Sequence, residues 1–356
     1  MVYRFPKDKG LKSVKVTISD VAKKAQVSKT TVSRILNGNF AHATLETKNR
    51  VLQAIRDLDY RPNALAKGLK LMRTNVIGVI LSNLKNPFWT NVLEGVEDAS
   101  HRMGYHLMIC NTNEDQEKEA EYIKEFQRRQ VDGIIINPTV LNDELYNQMI
   151  NEMPVVVINR RISNQNAINV VVDNVKGADL AIRHLIESGS KRIAVFMFNN
   201  EYVSPWMDRL KGYQSAMLLH GYTSKDFRIL KLDQKSRELN EIIKKYIREH
   251  PDVDSIFSTN NMITLVLLDA IRELGLSIPK DLAVVSYDET IWAKYLDPPL
   301  TTIKQPGYEM GRIATVNLIQ TINGKQNPNS KSIILQPELI VRTSSEKLTA
   351  SEFTSI

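Results

Sequence analysis

Residues 16–39 read VTISDVAKKAQVSKTTVSRILNGN, and two short helical patterns separated by a break are written into them. Thr17-Ile18-Ser19-Asp20 has the form of a capping box, in which the threonine hydroxyl faces the amide three residues on and the aspartate reaches back to the threonine amide. A helix is expected to start there. Its apolar positions, Ile18, Val21, Ala22 and Ala25, recur every three or four residues and form one stripe to be buried. After Gln26-Val27, Ser28 is placed to cap a second helix whose Val32, Ile35 and Leu36 turn inward. Thr44 opens a third, with Val51, Leu52, Ile55 and Leu58 on its apolar face. Two short helices joined by a tight turn and braced by a third make the helix-turn-helix arrangement.

Charge singles out the same region. Residues 1–73 hold 16 Lys and Arg against 5 Asp and Glu, so they carry +11 of a chain whose total is +7. The other 283 residues hold 31 against 35 and are slightly acidic. A basic, capped helix-turn-helix points to nucleic acid, because a major groove about 12 Å wide admits a helix whose leading residues meet base edges. On the second helix the positions free of packing are Lys29, Thr30, Thr31, Ser33 and Arg34. Lys29 is expected to donate to guanine and Thr30 to meet a base or a thymine methyl. Thr31, Ser33 and Arg34 suit phosphates, with Thr17, Ser28 and Asn37 beside them. The alternative is a three-helix bundle with a merely solvated basic face.

Beyond Asn75 short β-branched runs alternate with amphipathic stretches. The runs are 76–81, 105–110, 133–137, 155–158, 192–198, 255–257 and 282–287. This pattern predicts an α/β fold with parallel sheets covered on both faces. So many strands in about 270 residues suit two lobes better than one open sheet, and the division is expected near 159–170, where periodicity lapses. In such sheets ligands sit beyond the carboxyl ends of the strands. Reading off the residues there gives 83–89, Asn111, 159–161, 199–209, Thr259, Asn260, Asp288 and Gln305. Amides, arginines and carboxylates with Phe88, Trp89 and Trp206 suit a polyhydroxylated ligand.

The string 16–39 and the run Tyr60-Arg61-Pro62-Asn63-Ala64-Leu65-Ala66-Lys67-Gly68-Leu69 together resemble the LacI/GalR transcriptional regulators. The likeness continues through Ile77-Gly78-Val79-Ile80, Asn86-Pro87-Phe88, Asp132-Gly133-Ile134-Ile135, Asp208-Arg209-Leu210-Lys211-Gly212-Tyr213, Ser286-Tyr287-Asp288 and 300–305. It implies two periplasmic-binding-protein-like, doubly wound lobes behind the helix-turn-helix domain. The organisation expected is an N-terminal extension at 1–15, a DNA-binding domain at 16–61 and a hinge helix and linker at 62–74. The two-lobed effector and dimerisation domain follows at 75–345, with a tail at 346–356.

The resemblance also implies roles. The hinge helix forms on operator DNA, with Leu69 as a minor-groove wedge and Asn63 and Lys67 near the backbone. A helix of about seven residues carrying Gly68 is too short to be stable alone, which suits folding on DNA. Phe88 or Trp89, Arg209, Asn260 and Asp288 line the effector site. Arg160 and Arg161 with Arg209 suit an anionic effector such as a sugar acid, although a solvated loop pair and an Arg209–Asp208 pair are open alternatives. Phe88 and Trp206 could instead be core aromatics.

The partners implied are a pseudo-palindromic operator, a sugar or sugar-acid effector, a second copy of the chain and, in some members, a corepressor protein. Two departures stand out: the loop after Asn37-Gly38 is one residue longer than is common, and Lys67 stands where arginine is frequent. The longer loop resembles regulators of sugar-acid metabolism from Gram-positive bacteria.

Other classes fit less well. A solute receptor with the same lobes would have no use for residues 17–70. An enzyme is not expected: no phosphate-loop, dinucleotide, nucleophile-elbow or zinc-helix motif occurs, and His42, His101, His106, His184, His220 and His250 lack metal-ligand spacing. No cofactor is implied. One cysteine, Cys110, and no apolar leader or membrane-length run lead to the expectation of a cytoplasmic protein.

Overall fold

A computed structural model of the chain describes residues 16–36, 38–40, 43–60, 73–139, 142–162, 164, 166–325 and 332–346. The expectations placed on Asn37, Asn63, Lys67 and Leu69, on the hinge helix and on the two ends of the chain lie outside the described residues. Two compact units divide between Thr74 and Asn75.

The first unit holds α1 (Ile18–Ala25), α2 (Lys29–Leu36) and α3 (Leu45–Asp57). The capping box forms: Asp20 Oδ2 accepts from the Thr17 amide at 2.8 Å and from its hydroxyl at 2.7 Å. These bonds hold the Asp20 carboxyl below its ordinary range. Ser28 Oγ caps α2 by accepting from the Thr31 amide at 3.1 Å, and Thr44 Oγ1 caps α3 by accepting from Thr47 at 3.2 Å. The stripes then meet in one core of Val21, Ala22, Ala25, Val32, Ile35, Val51 and Ala54. Gln26 ends α1 in the left-handed region at φ 53°, where a β-carbon is unwelcome.

The second unit contains two six-stranded sheets. Sheet one has the order β11-β5-β4-β3-β1-β2, built from β1 (Val76–Leu81), β2 (His106–Asn111), β3 (Gly133–Ile136), β4 (Val155–Ile158), β5 (Ile168–Val172) and β11 (Ser332–Leu335). All its pairs are parallel. Sheet two has the order β12-β10-β9-β8-β6-β7, from β6 (Ile193–Phe198), β7 (Arg228–Leu232), β8 (Ser255–Ser258), β9 (Ala283–Tyr287), β10 (Thr301–Lys304) and β12 (Glu338–Ile340). Only its β10–β12 pair is antiparallel. Both faces are covered: along β1, Ile77, Val79 and Leu81 enter one core and Ile80 another. That is why the central strands read as unbroken apolar runs.

The single division expected near 159–170 is corrected. Strand β5 begins at its end and pairs with β4, so the polar lapse is a loop between neighbouring strands of one sheet. The chain changes sheets three times instead. It crosses after β5 into α7 (Asn174–Glu187), after β10 into α11 (Gly307–Ile322), and between β11 and β12.

Glycines dock the two crossover helices. A β-carbon on Gly311 of α11 would lie 2.0 Å from the Val92 carbonyl of α4 (Phe88–Arg102), and one on Gly95 of α4 would lie 2.0 Å from the Tyr308 carbonyl. In the other lobe, a β-carbon on Gly212 of α8 (Ser204–Leu219) would lie 2.3 Å from the Val175 carbonyl of α7. No helix among the described residues is long and apolar enough to cross a membrane.

Candidate functional site

Two surfaces carry the chemistry expected from the sequence. On α2 the apolar residues face the core, which leaves Lys29, Thr30 and Arg34 exposed and Thr31 and Ser33 half-buried. Three hydroxyls of the expected set are partly committed: Ser28 Oγ lies 2.9 Å from Thr31 Oγ1 while it caps the helix, and Thr17 bonds Asp20. Lys29 and Thr30 therefore present the least encumbered polar groups at the start of α2, beside the helix-terminal amides.

The second surface is a cleft between the carboxyl ends of the two sheets. The structure brings eight of the residues expected there around this one cleft: Phe88, Trp89, Arg160, Trp206, Arg209, Asn260, Asp288 and Gln305. Each stands just past a strand or within the first two turns of the following helix. The aromatic residues have two allegiances. Phe88 and Trp89 meet edge to face at 5.0 Å and Trp206 lies 5.3 Å from Phe198, so they line the cleft and close the cores beneath it.

Lobe two holds Arg209 and Asp288. Arg209 is 3% exposed; its Nε donates to Asn174 Oδ1 at 2.8 Å, its Nη1 to the Thr259 carbonyl at 2.5 Å, and its guanidinium lies 3.5 Å from the Tyr287 ring centre. Gly177 makes room for that ring, since a β-carbon there would lie 2.4 Å from the Tyr287 hydroxyl. Burial pushes the Tyr287 hydroxyl up to about 12, so the ring stays neutral beneath the cation. Asp288 Oδ1 accepts from Gln305 Nε2 and its Oδ2 from Asn86 Nδ2 at 3.3 Å. The second of these bonds crosses the cleft.

The arginine readings need correction. Arg160 is not part of a solvated pair: it is buried, grips Glu114 through both Nη atoms at 2.8 and 2.7 Å, and also donates to the Pro138 and Thr139 carbonyls. Arg161 crosses to the other lobe, pairing with Asp208 while its amide donates to Ser204 Oγ at 3.1 Å. Asp208 is thereby turned away from the pairing with Arg209 that adjacency allowed. Asn111 does not line the cleft; its Oδ1 accepts from the Leu84 amide and its Nδ2 donates to Asn113.

Sequence reading missed Glu114 and Gln234 in the lining. Both follow strands and could have been found by applying the same rule to β2 and β7. Backbone geometry gives a further signal: Glu114, Asn159 and Asp288 line the cleft with φ of 61°, 62° and 81°. Non-glycine residues in this region cluster where surrounding structure holds a functional group in place.

Comparison with known proteins accords with both surfaces. The family model for bacterial regulatory proteins of the lacI family matches residues 17–63, and that for periplasmic binding proteins and the sugar-binding domain of the LacI family matches 74–343. The HTH-type transcriptional regulator RegA of Clostridium saccharobutylicum is 34% identical over 331 residues, covering 92% of this chain and 98% of its own. Among solved structures, the Lac repressor dimer bound to operator and the anti-inducer ONPF has 25% identity and a TM-score of 0.81, covering 93% of this chain and 99% of the other. The transcriptional regulator CelR–cellobiose complex has 28% identity and a TM-score of 0.68, covering 92% and 99%. With a family model matched in each unit and a relative 34% identical along 92% of the chain, this chain belongs to the LacI family and is a DNA-binding transcriptional regulator, not an enzyme.

Proposed function

We propose that the chain is a cytoplasmic, homodimeric repressor of carbohydrate metabolism whose hold on its operator is set by a sugar or sugar acid in the interlobe cleft. The observation that carries this reading is the convergence of Phe88, Trp89, Arg160, Trp206, Arg209, Asn260, Asp288 and Gln305 on one cleft. Planar amide, guanidinium and carboxylate groups bond paired hydroxyls, and the rings of Phe88, Trp89 and Trp206 cover the apolar face of a sugar. The Lac repressor dimer on operator and the CelR–cellobiose complex support the same reading.

In this reading Lys29 and Thr30 meet base edges, and Thr31, Ser33 and Arg34, with Thr17, Ser28 and Asn37, fix register on phosphates. Asn63, Lys67 and Leu69 belong to a hinge helix that orders on DNA, Leu69 being the wedge. Two copies read half-sites about one helical turn apart. Arg161–Asp208, Asn86–Asp288 and the 3.2 Å bond from Asn261 Nδ2 to Asn86 Oδ1 join the lobes across the cleft, so a ligand between them alters the lobe geometry on which the hinge depends.

Linkage supplies the test. An operator is selected from a randomised duplex pool with the full chain, and its affinity is then measured with and without a cleft ligand. A ligand that shifts operator affinity by some factor must have its own affinity shifted by the same factor when operator is present. Unequal factors, or no enrichment of any duplex, would sink the proposal.

A further inference from the structure

The two lobes repeat one device at the amino ends of their sheets. Val131-Asp132-Gly133-Ile134 leads into β3, and Val253-Asp254-Ser255-Ile256 leads into β8. Each aspartate reaches to the chain entering the neighbouring strand. Asp132 Oδ2 accepts from the Asn75 amide at 2.9 Å, and the Asp132 amide donates to the Val76 carbonyl at 2.8 Å. Asp254 accepts from the Lys191 and Arg192 amides at 2.8 and 3.2 Å, and its own amide donates to the Arg192 carbonyl at 3.1 Å.

What enters the two strands differs. The chain reaching Lys191 comes from α7, which packs in the same lobe. The chain reaching Asn75 comes from the helix-turn-helix unit, and the boundary between the units falls immediately before it. Asn75 is held in the left-handed region at φ 53°, with its amide on Asp132 and its carbonyl accepting from the His106 amide of β2 at 2.8 Å. Both of its backbone groups are thus fixed by the lobe of sheet one, and a non-glycine residue keeps such a conformation only where its surroundings impose it. From there β1, buried from Ile77 to Leu81, runs to Ser82 and Asn83 in the cleft lining.

We propose that Asp132 is a positioning residue for operator recognition. It fixes to the lobe of sheet one the point from which the DNA-reading unit is tethered, whereas Asp254 serves its own lobe alone. This rests on the reading that two copies engage one operator. Meeting two half-sites at a set spacing requires both tethers to leave from fixed points, because a loosened tether lowers the effective concentration of the second reader. Non-specific contact with phosphates makes no such demand.

The experiment compares Asp132→Ala, Asp132→Asn and Asp254→Ala in the full chain. Each is titrated with an operator selected from a randomised duplex pool by the unaltered chain, and with a scrambled duplex of the same length. Asp132→Ala is expected to lose about tenfold or more in operator affinity and less than about twofold on the scrambled duplex. Asp132→Asn keeps an acceptor oxygen and is expected to stay within about threefold of the parent on the operator. Asp254→Ala loses two bonds from its carboxylate where Asp132→Ala loses one, so its thermal midpoint should fall at least as far, yet its operator affinity should stay within about twofold of the parent. Equal losses of operator affinity in the two alanine variants, or a loss in Asp132→Ala matched on the scrambled duplex, would overturn the inference and leave the proposed function standing. Should a variant fail to fold, hydrogen exchange of the unaltered chain still tests the clamp: the Asn75 amide should be protected as strongly as the amides of β1, and exchange at the rate of an open amide would overturn it. Failure of the unaltered chain to enrich any duplex would remove the inference together with the function on which it rests.

Discussion

In the function proposed, helix α2 and the interlobe cleft solve opposite problems. On α2 the groups proposed to meet DNA are exposed and the groups that stabilise the unit lie beneath them, so the two tasks fall to different residues. In the cleft the side chains proposed to hold the ligand also hold the protein together. Arg209 and Asp288 are each 3% exposed, and their bonds hold together the segments that present them. A surface that meets a large, charged polymer can wait in water. A site that must surround a small ligand has to bury its polar groups and satisfy them with protein bonds before the ligand arrives.

Removing residues 1–73 breaks the comparison most completely. Operator retardation should vanish while calorimetric binding of the cleft ligand survives, and loss of both would show the two functions to be inseparable. Next in size, Arg160→Ala should lower the unfolding free energy in urea by about 3–5 kcal/mol, because it strands Glu114 as a largely buried charge. The double substitution Arg160→Met with Glu114→Leu should recover most of that loss. If the single variant costs no more than the double, the pair does not act as described.

Lys29→Ala probes the other side. It should weaken operator binding by about 1–3 kcal/mol and leave unfolding within about 0.5 kcal/mol of the parent, since the side chain is exposed. A large drop in stability would place Lys29 in the structure of the unit. Smallest is Gln26→Gly. The left-handed turn after α1 costs a side-chain-bearing residue about 1–2 kcal/mol, of which the looser unfolded chain takes back about 0.4–1 kcal/mol. A net gain of about 0.5–1 kcal/mol should appear as slower hydrogen exchange of the α1 and α2 amides in the full chain.

The same contrast explains what could be read in advance. The three-helix unit is specified locally: its caps at Thr17, Ser28 and Thr44 and its apolar stripes lie within a few residues of what they control. The cleft lining was legible because strand ends can be counted along the chain. Strand β7, RILKL, escaped notice as an edge strand, half-buried with mixed polarity, and β10 to β12 are only three or four residues long. The sheet crossings were hidden because Asp173 and Gln305 look like ordinary loop residues until pairing partners are known. Charge pairing was hidden for the same reason. Glu114 and Arg160 are 46 residues apart, and nothing local distinguishes Arg160, paired with Glu114, from Arg209, which bonds Asn174 and the Thr259 carbonyl.

The central claim is that the basic unit reads duplex DNA through direct neutralisation of phosphates, and the salt dependence of operator affinity tests it most directly. Measured from roughly 50 to 200 mM salt, the logarithm of the binding constant should fall linearly with the logarithm of salt concentration, a loss of at least about a hundredfold. Lys29→Ala and Arg34→Ala should each make the slope shallower. Affinity that stays level across this range, or slopes unmoved by both substitutions, would contradict the account.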